Sequence, residues 1–192
     1  MKGFLIPLFA AMFLGSALFL LNLNGAQAFD RHRYEPDCHK CHILANRRVD
    51  FYKIPLNQGL VMGNVLGPWK AAVFVDPDCP YSWELHKEME KVLQESKDIA
   101  FYIILYPLRS HKDAYWKSKS ILCNKSLKML EDAYAHKEIP HLECDPKEID
   151  ANIKLAKTLG IRGTPTLVLP DGRIREGSMS AEQLIDFIQG ER

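Results

Sequence analysis

The fold is decided by residues 71–95, which read AAVFVDPDCPYSWELHKEMEKVLQE. The short apolar run at 71–75 ends at an Asp-Pro pair and predicts a buried strand. Apolar residues then recur at helical spacing from Pro80 to about residue 95, and proline fits the first position of a helix. Cys79 therefore lies at the corner between a strand and a helix.

This position makes Cys79 the first candidate for chemistry. Unpaired N–H groups and the dipole at a helix N-terminus stabilise a thiolate, which is the reactive form of cysteine. A buried structural cysteine is the alternative interpretation. Pro80 at the helix start favours the reactive one.

The rest of the chain alternates between strands and helices. We predict a strand at 99–105, mostly helical residues at 111–137, a helix from about 145 to 160, a strand at 166–169 with a hairpin at 171–176, and a final helix opened by a capping box at 180–183. This order predicts an α/β fold with a mixed central sheet, helices on its faces and a helical insertion.

Several segments together resemble one known family. Residues 73–81, followed by Leu85-His86, resemble the active-site segment of the periplasmic disulfide isomerases DsbC and DsbG, which have a thioredoxin-like fold. The resemblance continues at 121–125 (ILCNK), at Cys144-Asp145 and at 159–166 (LGIRGTPT). It covers roughly residues 70–190.

The resemblance implies a set of site residues. Cys79 matches the attacking cysteine, and Thr164-Pro165 matches the threonine and cis-proline that face it and hydrogen-bond an extended substrate. Cys123 and Cys144 match the structural disulfide of the family. They bracket a loop of about 20 residues, whose closure is worth ~3 kcal/mol in the chain-entropy model.

One position departs from the family. Ser82 stands where the second active-site cysteine would be, which gives Cys-Pro-Tyr-Ser. A hydroxyl cannot resolve a mixed disulfide, so Cys79 and Ser82 cannot cycle as a dithiol. A single thiol can still attack a client disulfide and be displaced by another thiol.

The N-terminus predicts export. An apolar run after Lys2 ends at Ala26-Gln27-Ala28, a small-x-small cleavage site, so residues 1–28 are interpreted as a signal peptide. An uncleaved anchor is the alternative, because about 20 apolar residues can span a bilayer. After cleavage we expect a periplasmic or otherwise exported protein with no stable membrane insertion.

Residues 29–66 are interpreted as an N-terminal appendage, and residues 67–192 as the thioredoxin-like domain. The appendage contains Cys38-His39-Lys40-Cys41-His42. C-x-x-C-H is the attachment signal for haem c, in which Cys38 and Cys41 bind the porphyrin and His42 ligates the iron. A redox dithiol, a metal site and a structural disulfide are the alternatives. Candidate sixth ligands of the iron are His32, His39 and Met62.

Charge and cysteine count narrow the partners. The chain has 25 basic and 24 acidic residues, so nucleic acid is not expected as a partner. Five cysteines in an exported protein leave one outside any set of pairs within the chain. We expect cysteine-containing exported proteins as clients, and a thiol reductant or a redox protein as partner.

The sequence therefore predicts a thiol–disulfide exchange protein with a monothiol site and a haem c. One alternative is a c-type electron-transfer cytochrome that uses the thioredoxin-like part for docking. The other is a non-catalytic module that binds cysteine-containing clients.

The remaining histidines (His86, His111, His136 and His141) are predicted to be solvated, and Trp83 to pack or to line a substrate groove.

Overall fold

The structure is a computed structural model that describes residues 47–190. Two short 3-10 helices (Phe51–Lys53 and Leu56–Gln58) precede β1 (Leu60–Gly63), β2 (Trp69–Val75), α1 (Pro80–Glu95), β3 (Ile99–Leu105), α2 (Ala114–Asn124), α3 (Leu127–Tyr134), α4 (Glu148–Thr158), β4 (Thr166–Val168), β5 (Ile174–Glu176) and α5 (Ala181–Gln189). The predicted signal peptide and the C-x-x-C-H motif lie outside the described residues. Within residues 47–190, the helices are too short or too polar to cross a membrane.

The five described strands form one mixed sheet. Its order is β1-β3-β2-β4-β5, with β2 and β3 parallel and the other neighbours antiparallel. The predicted fold class is confirmed. The carboxyl end of the central strand β2 leads directly to Cys79 and α1, so the sheet fixes the position of the candidate site.

Alternate residues of β2 face opposite sides of this sheet, as the pleat requires. Val73 and Val75 belong to the larger core cluster, which includes residues of α1, α2, α3 and α5. Ala72 and Phe74 belong to the other cluster, together with Ala156 of α4. Phe74 is fully buried, and truncation of such a side chain to alanine costs about 3–5 kcal/mol.

The observed helix bounds agree with the prediction where the sequence carries strong local signals. Helix α1 begins at Pro80 and ends at Glu95, with Cys79 as its N-cap. The capping box at α5 is present, because Ser180 accepts from the Gln183 N–H and the Gln183 side chain accepts from the Ser180 N–H.

The predicted domain boundary at 66/67 differs from the structure. Strand β1 pairs with β3 inside the sheet, and Phe51 and Ile54 are buried in the core. Gly63 has a φ of +91°, and a Cβ there would lie 2.4 Å from the Ile99 carbonyl oxygen. This glycine therefore serves a close approach between β1 and β3, and the Gly- and Pro-rich stretch at 51–70 is part of the fold.

Candidate active site

Cys79 occupies the junction between β2 and α1. Its backbone is extended (φ −87°, ψ 118°), its N–H donates to the Asp76 carbonyl at 3.1 Å, and its carbonyl accepts from the Ser82 and Trp83 N–H groups. The thiol makes no capping hydrogen bond to the helix, and the residue is only 4% exposed. The strand end and the first helical turn thus hold the sulfur in a single place.

The loop before β4 contacts this thiol. A cis peptide bond joins Thr164 to Pro165, and the Cys79 thiol donates to the Thr164 carbonyl oxygen, with 3.2 Å between sulfur and oxygen. The Pro165 carbonyl accepts from the Gly177 N–H, which ties the loop to the segment after β5. The structure therefore brings Cys79 next to Thr164, which follows it by 85 residues in the sequence, and to the adjacent Pro165.

Ser82 lies one turn into α1 and is fully buried. Its hydroxyl oxygen accepts from the Asp76 N–H at 3.4 Å, a long and weak hydrogen bond. Its own N–H donates to the Cys79 carbonyl. Ser82 is therefore a buried neighbour of the cysteine that contributes a hydroxyl and no second sulfur.

A buried carboxylate lies next to both residues. Asp76 has no exposed surface and accepts from the N–H groups of Asp78 (2.7 Å) and Leu108 (2.6 Å). His111 Nδ1 lies 2.9 Å from the Oδ2 atom of Asp76, the same oxygen that accepts from the Leu108 N–H. Burial raises the pKa of Asp76, while these hydrogen bonds and the nearby His111 work in the opposite direction.

The expectation that His111 is solvated is therefore wrong. Its ring is mostly covered and contacts Asp76. The contact depends on the loop after β3, which returns residues 106–111 to the end of β2. The polar residues around His111 in the sequence do not indicate that the chain folds back to Asp76.

His86 is the second histidine that differs from the prediction. It is 1% exposed and lies against Trp83 and Tyr134, with ring centroids 5.8 and 5.5 Å away. Neither ring nitrogen has a hydrogen-bond partner within residues 47–190. Burial lowers the pKa of His86, so the neutral imidazole is favoured, and Glu90 opposes this shift. The spacing of His86 to Met89 and Leu93 (i, i+3, i+7) was a signal for the buried helix face.

Trp83 and Tyr134 complete the aromatic cluster behind Cys79. Their rings stack with centroids 5.5 Å apart, and Trp83 is half-buried, as expected of a packing residue. The Tyr134 hydroxyl is buried. Burial raises the pKa of Tyr134 well above its ordinary value, the nearby Asp76 and Cys79 add to this effect, and a hydrogen bond with the Ser82 side chain opposes it.

Two features beside Cys79 were missed at the level of sequence. Tyr81 is 59% exposed two residues after the cysteine and presents an aromatic ring to solvent. Asp78, one residue before the cysteine, forms an ion pair with Lys117 of α2. The pair connects the active-site turn to the helical insertion.

The other described cysteines form a disulfide. Cys123 of α2 is bonded to Cys144 in the segment before α4. Within residues 47–190, Cys79 is the cysteine that remains free.

Met62, a candidate ligand of the predicted haem, is buried in β1 as part of the core.

Comparison with known proteins fits this geometry. The model of the thioredoxin-like domain family matches residues 56–190, and the chain belongs to this family. A probable thiol:disulfide interchange protein DsbC from Bordetella pertussis is 30% identical over 138 residues, which cover 71% of this chain and 47% of that protein. The chain thus spans about half the length of the curated relatives it matches.

Solved structures give the same result. The disulfide interchange protein from Neisseria gonorrhoeae aligns with a TM-score of 0.62 and 28% identity, covering 72% of this chain and 99% of that one. A periplasmic thioredoxin-like protein from Salmonella enterica serovar Typhimurium aligns with a TM-score of 0.56 and 19% identity, over 70% of this chain and 90% of that one. The second similarity shows the shared fold alone. Together with the DsbC relatives, the first supports kinship with the disulfide isomerases.

Proposed function

We propose that this chain is an exported thiol–disulfide exchange protein that acts on cysteine-containing proteins through the single thiol of Cys79. One observation carries the proposal: the Cys79 sulfur, at the start of α1, lies 3.2 Å from the Thr164 carbonyl oxygen next to the cis-proline. Relatives named thiol:disulfide interchange proteins support it.

The exchange reaction needs no net oxidant. The Cys79 thiolate attacks one sulfur of a client disulfide, and a new S–S bond forms while the other client sulfur leaves as a thiolate with its electron pair. A second client thiolate then attacks the mixed disulfide and expels the Cys79 thiolate. The client disulfide has moved, and the protein returns to its starting state.

Ser82 determines how the mixed disulfide is released. Since its hydroxyl cannot attack the adduct, release requires a thiol from elsewhere. Candidates are a second client thiol, a small thiol reductant, a redox partner protein, or the Cys38/Cys41 pair of the same chain. A long-lived mixed disulfide at Cys79 is the expected consequence.

The client is expected to bind as an extended segment beside Thr164-Pro165. The exposed ring of Tyr81 would offer apolar contact area next to the attacking sulfur. Cys79 is only 4% exposed, which implies that the client must approach closely along this loop.

The apolar leader at 1–28 supports a periplasmic location.

We also propose a covalent haem c at the N-terminus. The spacing of Cys38, Cys41 and His42 provides two thiols for thioether bonds and one axial ligand. When bound, the haem would supply one-electron chemistry. A redox dithiol, a metal site and a structural disulfide at the same cysteines are the alternatives, and an intact mass without haem would exclude the haem and leave these three.

The proposed exchange activity is tested with Cys79→Ala and a scrambled disulfide substrate in a glutathione buffer. We expect Cys79→Ala to lose the exchange activity, because the attacking sulfur is gone. The matched variant Cys38→Ser/Cys41→Ser should retain exchange, since external thiols can release the adduct. If Cys79→Ala reshuffles the substrate at the wild-type rate, Cys79 is not the catalytic residue.

A further inference from the structure

Three potential metal ligands converge on one point between α1 and α3. The His86 Nε2 atom lies 3.8 Å from a carboxylate oxygen of Glu90 and 3.8 Å from one of Glu131. All three atoms lie within 4.8 Å of one another. No part of the proposed exchange mechanism uses this cluster.

The backbone holds these residues in register. His86 and Glu90 are one turn apart on α1, at the i, i+4 spacing that places two side chains on the same helix face. Glu131 faces them from α3. Because all three residues belong to helices, their side chains start from well-defined positions.

His86 supplies the independent sign of a ligand. It is 99% buried, and its two ring nitrogens lack hydrogen-bond partners among the described residues. A buried polar atom without a partner costs roughly 1–3 kcal/mol, so an orphaned imidazole calls for an explanation. Its Nε2 atom is aimed at the gap between the two carboxylates.

The charge around this gap favours a cation. Within residues 47–190, Glu90 and Glu131 form ion pairs only with His86, and no lysine or arginine neutralises either carboxylate. A neutral imidazole is the form of histidine that ligates metals. The gap therefore combines two negative charges with a nitrogen lone pair.

We propose that His86, Glu90 and Glu131 bind a divalent transition-metal ion of the Zn²⁺ type. A nitrogen ligand with two carboxylate oxygens suits such an ion better than Ca²⁺ or Mg²⁺, which prefer oxygen alone. Tetrahedral zinc with bonds of about 2.0–2.1 Å needs ligand atoms about 3.3–3.4 Å apart. The two 3.8 Å separations from His86, and the separation of at most 4.8 Å between the two carboxylate oxygens, close by rotation of the two glutamates, which are 45% and 35% exposed.

The fourth position would be open to water, since both carboxylates reach the surface. The ion would connect α1 to α3 and fix the stack of Trp83, His86 and Tyr134 behind the active site. Its role is structural, because the cluster has no contact with the Cys79 thiol among those observed.

The test is calorimetric titration with Zn²⁺ of the full chain carrying Cys38→Ser, Cys41→Ser and Cys79→Ser, which removes the competing thiols. We expect one Zn²⁺ per chain. Adding Glu90→Gln and Glu131→Gln should weaken binding at least tenfold, because both charged ligands are lost. These glutamates are partly exposed, so the variant keeps its fold; His86→Ala is avoided because it empties a buried site.

The matched control is Glu84→Gln/Glu95→Gln, which removes two exposed glutamates of α1 outside the cluster. It should bind Zn²⁺ like the parent. X-ray absorption of the bound zinc should show only nitrogen and oxygen ligands. Absence of binding, or equal weakening in the two glutamine variants, would overturn the proposed site.

Discussion

At the scale of the residue, the difference between a serine and a cysteine defines what this site can do. Ser82 stands one helical turn after Cys79, and its N–H donates to the Cys79 carbonyl at 3.1 Å. The turn therefore places a hydroxyl, and no second thiol, beside Cys79. In the proposed exchange reaction this changes how the mixed disulfide is released and leaves the first nucleophilic step in place.

Restoring the sulfur is the direct test of this idea. In Ser82→Cys we expect a disulfide between positions 79 and 82 after oxidation, since the side chain of an N-cap residue lies beside the third residue of its helix. Wild-type protein should instead accumulate mixed disulfides at Cys79. Acid-quenched alkylation followed by mass spectrometry measures both.

Ser82→Ala serves as the matched control, because it removes the hydroxyl without adding a thiol. It should keep the mixed disulfides of the wild type. Recovery of wild-type Cys79 only as a free thiol would count against the proposed monothiol chemistry.

Asp76 gives a second prediction, on the pH dependence of stability. Its pKa is raised in the folded state, so between its unfolded value of about 4 and the folded value the native protein holds more protons than the unfolded one. The Asp76 contribution to the free energy of unfolding must therefore fall as pH rises through that window. The groups that face its carboxylate are His111 and the N–H groups of Asp78 and Leu108, and Tyr134 interacts with it electrostatically.

Urea unfolding of wild type and Asp76→Asn between pH 4 and 7.5 measures this contribution. We expect the stability of wild type relative to Asp76→Asn to decline as pH increases. Asp98→Asn, which changes an exposed aspartate at the other end of the sheet, should track the wild type. A relative stability that rises with pH would contradict the assigned direction.

Buried His86 and half-buried His111 mark the limit of residue-level prediction. The apolar residues around Cys79 were predictable from local periodicity, because their partners lie within the same helix or strand. Tyr134 of α3 covers His86, whereas His111, in the loop after β3, contacts Asp76 at the end of β2. The helical spacing of His86 to Met89 and Leu93 was a local sign of burial, but no local pattern in the sequence shows that His111 meets Asp76.

At the scale of the element, prediction worked where the chain carries its own signals. Helix α1 has a proline at its start and a regular apolar stripe, and β3 is a continuous apolar run. Strand β1 has four residues and ends in Gly63, so its identity depends on pairing with β3. A short edge strand of this kind is visible only once its partner is in place.

The prediction at the scale of the element concerns the disulfide between Cys123 and Cys144, which connects α2 to the segment before α4. Its 21-residue separation corresponds to about 3 kcal/mol of loop-closure entropy. We expect Cys123→Ser/Cys144→Ser to lower the free energy of unfolding by roughly that amount. Urea unfolding with and without a reductant measures it.

The reductant supplies the control for this measurement. It should destabilise the wild type towards the level of the double variant and leave the double variant unchanged. Exchange activity should persist in the folded double variant, since the bridge is remote in sequence from Cys79. Equal stability of the two proteins without reductant would mean that the bridge adds nothing to the fold.

At the scale of the whole molecule, the chain carries two groups of candidate functional cysteines, Cys79 and the pair Cys38 and Cys41. The thioredoxin-like part follows from many agreeing local and long-range signals, so its fold class could be predicted. The C-x-x-C-H motif is a five-residue signal at 38–42, outside the described residues. Its chemistry therefore has to be measured on the intact protein.

The intact mass of the protein purified from its native exported compartment, denatured without reductant, measures both whole-molecule predictions. We expect the mass of residues 29–192 plus one haem, because cleavage after Ala28 and two thioether bonds are both covalent changes that survive denaturation. The variant Cys38→Ser/Cys41→Ser should lose the haem and keep the cleavage. A wild-type mass that contains the cleaved chain alone would exclude covalent haem, and Cys38 and Cys41 would then be the thiols of the same chain proposed to release clients from Cys79. A mass that includes residues 1–28 would instead show that the leader is retained as an anchor.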